Sequence, residues 1–165
     1  MATRSRLLVH AVVAFVVLPG TVAFAVPLLW LRPADPLRGF NVAGLAVAGA
    51  GIALLLWCVG QFFVSGRGSL APWAPPVRLV STGPYRWSRN PMYLGVLLIL
   101  AGWALTFRST ALAGYAAAVA AAFHVRVLLA EEPWLARTFP GEWQEYASRV
   151  PRWLPWHARR DGRHS

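Results

Sequence analysis

The apolar positions of this chain fall in long blocks rather than at the spacing of a half-buried helix, and such blocks predict helices that cross a membrane. The blocks cover 7–31, 42–64, 92–107 and 111–130. Each is long enough for a hydrocarbon core of ~30 Å, the third only just. The first contains Pro19-Gly20 and Pro27, which break the backbone ladder and leave carbonyls for neighbouring helices to satisfy. The second sets Gly44, Ala48 and Gly51 on one helical face, a pattern for close packing inside a bundle.

Residues 65–91 lose the helical period and are rich in Pro, Gly and Arg. Their Trp73, Val77, Leu79, Val80, Tyr85 and Trp87 need an apolar partner, so an ordered loop on the membrane face is expected. After the last block, Pro133 suits the first turn of a new helix. Trp134, Leu135 and Phe139, then Trp143, Tyr146 and Val150, oppose Arg137, Glu142, Glu145 and Arg149. This predicts two short amphipathic helices over 133–156, split at Pro140-Gly141 and lying on the membrane, and a loose tail at 157–165. The expected fold is an all-α integral membrane protein, a single membrane domain over 1–165 with about four transmembrane helices.

Charge adds an orientation. All 16 basic residues are Arg, so an arginine at a given place is weak grounds for a chosen guanidinium. With four spans, thirteen arginines fall on one side of the membrane and Arg32, Arg38 and Arg108 on the other. That bias puts both termini, the 65–91 loop and any site near it on the cytoplasmic face, in a bacterial inner membrane. A net charge of +10 distributed between apolar blocks points to anionic lipid headgroups and away from nucleic acid. Arg4 and Arg6 before an apolar run, with Ala23-Phe24-Ala25 after it, resemble a secretory signal, but apolar character continues to Leu31 and favours a retained helix. The single Cys58 lies inside the second block and reads as packing.

Candidate chemistry is concentrated at one membrane face. The four His and one Cys are scattered without metal-ligand spacing, so no metal site is expected. Two polar clusters remain: "TGPYRWSRNPMYLG", with Tyr85, Arg89, Asn90 and Tyr93, and the pair Glu131 and Glu132. Adjacent antiparallel third and fourth spans bring them together. His124 and Arg126 lie within the fourth block, where ionisable groups are costly; His124 and Glu131, seven apart, share a face of a regular helix. Arg126 reads equally as a residue reaching to the interface. Aromatic faces, amide and guanidinium donors and carboxylates together suit a ligand with a planar base, a ribose and a zwitterionic amino acid.

"RLVSTGPYRWSRNPMYLG" followed by "EEPWLARTFPGEWQEYASRVPRWLPW" resembles the integral-membrane methyltransferases, nearest the isoprenylcysteine carboxyl methyltransferase family and its bacterial relatives, with phospholipid N-methyltransferases more distant. The resemblance covers residues 66–155 and implies S-adenosylmethionine as cofactor, held by the loop and the last membrane helix. Carried over residue by residue, it implies cofactor contacts from Val77, Arg78, Leu79, Val80, Gly83, Tyr85 and Arg89. It adds Asn90, Pro91, Met92 and Tyr93 of the "HPxY" quartet, and Glu131 or Glu132. Three departures stand out. Asn90 replaces the quartet's histidine, as in phospholipid-type enzymes; Val77 replaces a polar residue; and the substrate-carboxylate arginine aligns near Val127, with Arg126 one step away.

The acceptor is expected to be a lipophilic or lipidated molecule reaching the site from the bilayer: a prenylated cysteine, a phospholipid amine, an isoprenoid or a small thiol. Arg126 suits the orientation of a carboxylate, and Glu132 or His124 suits deprotonation of an amine. A rival from another class is a small transporter or structural subunit in which His124, Arg126 and Glu131 form an ion path and Tyr85 and Tyr93 are interfacial anchors.

Overall fold

A computed structural model describes residues 16–30, 41–65 and 79–154. Helix α1 covers 16–30, with wide π-type turns over Val16–Ala25 and α turns over Val26–Trp30. It is followed by α2 (Val42–Ser65), a 3-10 turn (Gly83–Arg86), α3 (Pro91–Thr106) and α4 (Thr110–Arg126). A π-type turn (Val127–Glu131) joins α4 to α5 (Glu132–Thr138), and α6 (Pro140–Arg149) completes the order. No strand occurs among the described residues.

Two helical stretches are long and apolar enough to cross a membrane, Val42–Gln61 and Thr110–Thr138, and Pro91–Thr106 is a shorter apolar helix. Large apolar side chains stand exposed along these helices, Leu56 and Leu129 among them, as lipid-facing positions do. The expected blocks at 42–64 and 92–107 become α2 and α3 nearly residue for residue. The first block is described only over 16–30.

The closest packing is between α2 and α3. Gly44, Ala48, Gly51, Leu55 and Cys58 are buried at alternating four- and three-residue steps, one stripe of α2. Opposite lie Gly95, Gly102 and Thr106 of α3, and the backbones nearly touch: a Cβ at Gly51 would be 2.7 Å from the Gly95 carbonyl oxygen. Small residues let helices approach this closely where no hydrophobic force drives them together. The core that follows joins four helices: Ala23, Leu55, Val96, Ile99, Leu100 and Val119.

Pro27 has a consequence that its sequence announces. Without an N–H it cannot bond the Ala23 carbonyl of an α turn or the Val22 carbonyl of a π turn. Both oxygens are taken by other helices: Trp103 Nε1 donates to Ala23 at 3.0 Å and the Tyr115 hydroxyl to Val22 at 3.2 Å.

The carboxyl-terminal part differs from expectation. The two amphipathic helices form and divide at Phe139–Pro140, but the apolar face of α6 does not lie free for a membrane. Trp143, Tyr146 and Val150 are buried against Leu79, Leu135 and Phe139. Periodicity defines an apolar face, and here protein rather than lipid covers it.

Candidate active site

The loop end is built on Gly83, whose φ of +59° belongs to the region that glycine alone enters without strain. A Cβ there would also meet the Gln61 side chain at 2.7 Å, and the Thr82 hydroxyl bonds Gln61 Oε1 at 3.0 Å. The loop is thereby seated on the end of α2. Tyr85 follows, buried with Val80 against Cys58, Leu54 and Met92. Burial pushes the Tyr85 phenol well above its usual range and keeps it neutral. The Tyr146 hydroxyl, also raised by burial, donates to the Tyr85 carbonyl at 2.8 Å and ties α6 to this turn.

Asn90 precedes α3 and Pro91 takes its first position, which needs no N–H. The Asn90 side chain does not cap the helix; its Nδ2 donates to the Arg152 carbonyl at 3.0 Å. One turn on, Tyr93 lies with its ring 4.2 Å from that of Phe123 and donates its hydroxyl to Glu131.

Glu131 and Glu132 sit where Pro133 disturbs the helix. Pro133 offers no N–H to Leu129, and the preceding turn widens, the Glu132 N–H reaching back to Val127. On a regular helix, residues five apart lie ~140° apart. In the wide turn Arg126 Nε instead reaches Glu131 Oε1 at 2.8 Å, and the Tyr93 hydroxyl at 3.2 Å. His124 and Glu131, seven residues apart across this turn, have different partners. His124 Nδ1 accepts from Trp153 Nε1 at 3.1 Å.

The two carboxylates are used differently. Glu132 is held by Arg89 Nη1 at 2.9 Å and by a two-pronged bond from Arg152, 2.8 Å to Oε1 and 2.9 Å to Oε2. Its side chain is 17% exposed and that of Arg89 14%. Glu131 is 31% exposed, and its second oxygen has no hydrogen-bond partner among the described residues. Arg89 lies over the Trp143 ring at 5.5 Å, and its Nε is buried without a partner. Arg126 is 58% exposed, and among the described residues its hydrogen bonds run through Nε.

The loop motif and the Glu pair, 43 and 38 residues apart in their closest pairings, are thus one cluster. Arg89, Asn90 and Tyr93 on the loop side and Arg126, Glu131 and Glu132 on the other are joined in it, directly or through Arg152. Val80, Tyr85 and Met92 pack instead with Cys58 and Leu54, Leu79 with Trp143, and Gly83 on Gln61, while His124 bonds Trp153. Val77 and Arg78 lie outside the described residues. Sequence reasoning missed Arg152, Trp143, Tyr146, Trp153 and Gln61. The stretch "RVPRWLPW" falls within the resemblance, but no role is carried over onto its residues, and its tryptophans lie in a segment expected on the membrane surface. Among the described residues no group of three His, Cys, Asp or Glu is arranged to hold a metal ion.

The family model described as phospholipid methyltransferase matches residues 43–142, and the chain belongs to that family. Of the two resemblances read from the motifs, it is the one placed further off, in keeping with Asn90 at the head of the quartet.

Among individual proteins, the chain is similar to the nickel-cobalt-cadmium resistance protein NccN of Alcaligenes xylosoxydans xylosoxydans, 34% identical over 100 residues, 61% of this chain and 42% of that protein. It is also similar to the cobalt-zinc-cadmium resistance protein CzcN of Cupriavidus metallidurans, 32% identical over 126 residues, 76% of this chain and 51% of that protein. The chain spans about half the length of the curated relatives it matches. No solved structure matches.

Proposed function

We propose that the chain is an S-adenosylmethionine-dependent methyltransferase of the membrane, acting on a lipophilic acceptor that reaches the site laterally. The observation that carries this reading is the meeting of Glu131 with Tyr93 and Arg126, beside the Arg89–Glu132 pair, in a chain of the phospholipid methyltransferase family.

The residues fit such a cofactor. Glu131 has an acceptor oxygen to spare for an α-ammonium or a ribose hydroxyl, Tyr93 offers an electron-rich ring, and buried Arg89 Nε is a donor that a carboxylate would satisfy. Bound, the cofactor supplies an electrophilic methyl group on a sulfonium. The chain then has to align the acceptor and strip it of water, and orientation of that kind can be worth ~7–11 kcal/mol.

We assign Glu131 to the ligand and Glu132 to the framework, because guanidinium donors occupy both Glu132 oxygens. His124 Nδ1 is engaged by Trp153 Nε1, and both Glu132 oxygens by guanidinium donors, so neither side chain stands free to take a proton from an amine. This favours an acceptor that needs no deprotonation, a carboxylate or thiolate, oriented by the half-exposed guanidinium of Arg126. An isoprenylcysteine-like carboxylate fits that description better than a phospholipid amine. Four spans in a bacterial inner membrane, with the site cytoplasmic, complete the reading and rest on the arginine bias. The relatives' names concern metal resistance and supply no acceptor.

The ion-path rival is weaker, since His124 pairs with Trp153 while Arg126 pairs with Glu131. Incubation of membranes containing the chain with methyl-labelled cofactor tests the proposal. Label transferred to a lipid or thiol fraction only when the chain is present supports it, and no chain-dependent label across all fractions sinks it.

A further inference from the structure

The chain leaves α6 through extended Val150, at φ −110° and ψ 127°, and then bends over 152–154. The three residues after Val150 each bond a different part of the site. The Pro151 carbonyl accepts from Arg89 N at 2.9 Å. The Arg152 carbonyl accepts from Asn90 Nδ2 at 3.0 Å and Ser88 Oγ at 3.3 Å, while its guanidinium grips both oxygens of Glu132. Trp153 bonds His124 on α4. A segment laid down by apolar burial alone would not place a polar bond at every residue. Arg152 is the only described residue that bonds both the loop end, through its carbonyl, and the first residue of α5, through its side chain.

We propose that Arg152 is a positioning residue for the neighbouring Glu131. It acts through Glu132 and Asn90, holding the 88–90 loop end and the wide turn in one register without touching the ligand. This rests on the cofactor-site reading given above. Two features favour it over an incidental ion pair. The bond to Glu132 is two-pronged, which a lysine cannot reproduce. Asn90 also gives up capping α3 to hold the Arg152 carbonyl. The hydrogen bond to Glu132 raises the Arg152 pKa, so its charge is constant at any working pH.

The test is calorimetric titration of S-adenosylmethionine into the detergent-solubilised full chain: wild type, Arg152→Gln, Arg152→Lys, Glu132→Gln and the Arg152→Gln/Glu132→Gln double variant. Arg149→Gln, which removes a guanidinium paired only with exposed Glu145, controls for bulk charge. Arg152→Gln is expected to weaken binding roughly tenfold, and to add less than about twofold on top of Glu132→Gln, the non-additivity of residues that act as a unit. Arg152→Lys should recover only part of the loss, and it carries the test if Arg152→Gln does not fold. Hydrogen exchange without ligand should show the Arg89 amide exposed faster in Arg152→Gln. Equal affinity of wild type and Arg152→Gln, or independent multiplication of the two losses, overturns the inference and leaves the cofactor site standing. A wild-type chain that binds no cofactor sinks the site reading and this inference with it.

Discussion

Replacing Gly102 by Ala adds one methyl group where α2 and α3 are closest. Its Cβ would lie 2.5 Å from Ala48 N, 2.6 Å from Ala48 Cβ and 2.7 Å from the Gly44 carbonyl oxygen. Apolar contacts are comfortable at ~3.5–4.0 Å, so the deficit is about 1 Å. None of the three atoms can rotate away, and the helices must part. Overpacking of this kind costs ~1–3 kcal/mol. Alanine's higher helix propensity offsets up to ~1 kcal/mol. Gly49→Ala on the exposed side of α2 isolates that offset, since nothing lies within 4 Å of its Cβ. Reversible unfolding in mixed micelles, followed by circular dichroism, should place Gly102→Ala ~1–3 kcal/mol below Gly49→Ala. Equal stability of the two would refute the close α2–α3 contact. The contact matters for the site because α3 carries Tyr93 at its first turn.

Other substitutions probe the remaining supports. Trp103→Phe and Tyr115→Phe each strand a carbonyl freed by Pro27 and should cost ~0.5–2 kcal/mol in the same assay; in a Pro27→Ala background, which restores an N–H, Trp103→Phe should cost less. Gly83→Ala forces a side chain into φ +59° and against Gln61, and should loosen the loop by ~1–2 kcal/mol, read as faster hydrogen exchange over 82–87. Tyr146→Phe leaves the Tyr85 carbonyl short of its 2.8 Å donor and should lower stability by ~1 kcal/mol.

Much of this arrangement is legible in the sequence. The apolar run beginning at Asn90-Pro91 marks α3 because proline cannot continue a helix backwards, and Gly44, Ala48 and Gly51 mark the contact stripe of α2. Adjacent spans bring the Tyr93 and Glu131 ends together for topological reasons alone. What stays hidden is local register. Pro133 is visible, but the wide turn before it is not, and across that turn Arg126 meets Glu131. Arg152 is hidden for another reason: in a chain whose every base is Arg, one more at the cytoplasmic end looks like topology charge. The face of α6 was readable and its partner was not, because a periodic stripe does not say whether lipid or protein covers it.

The central claim, that Glu131 serves a bound S-adenosylmethionine, is tested most directly by titrating that cofactor into the solubilised chain in a calorimeter, beside Glu131→Gln. Saturable binding to the wild type and a loss of about tenfold or more in the variant are expected, as for a charge-assisted bond to a cation. No binding by the wild type, or equal binding by both, would contradict it.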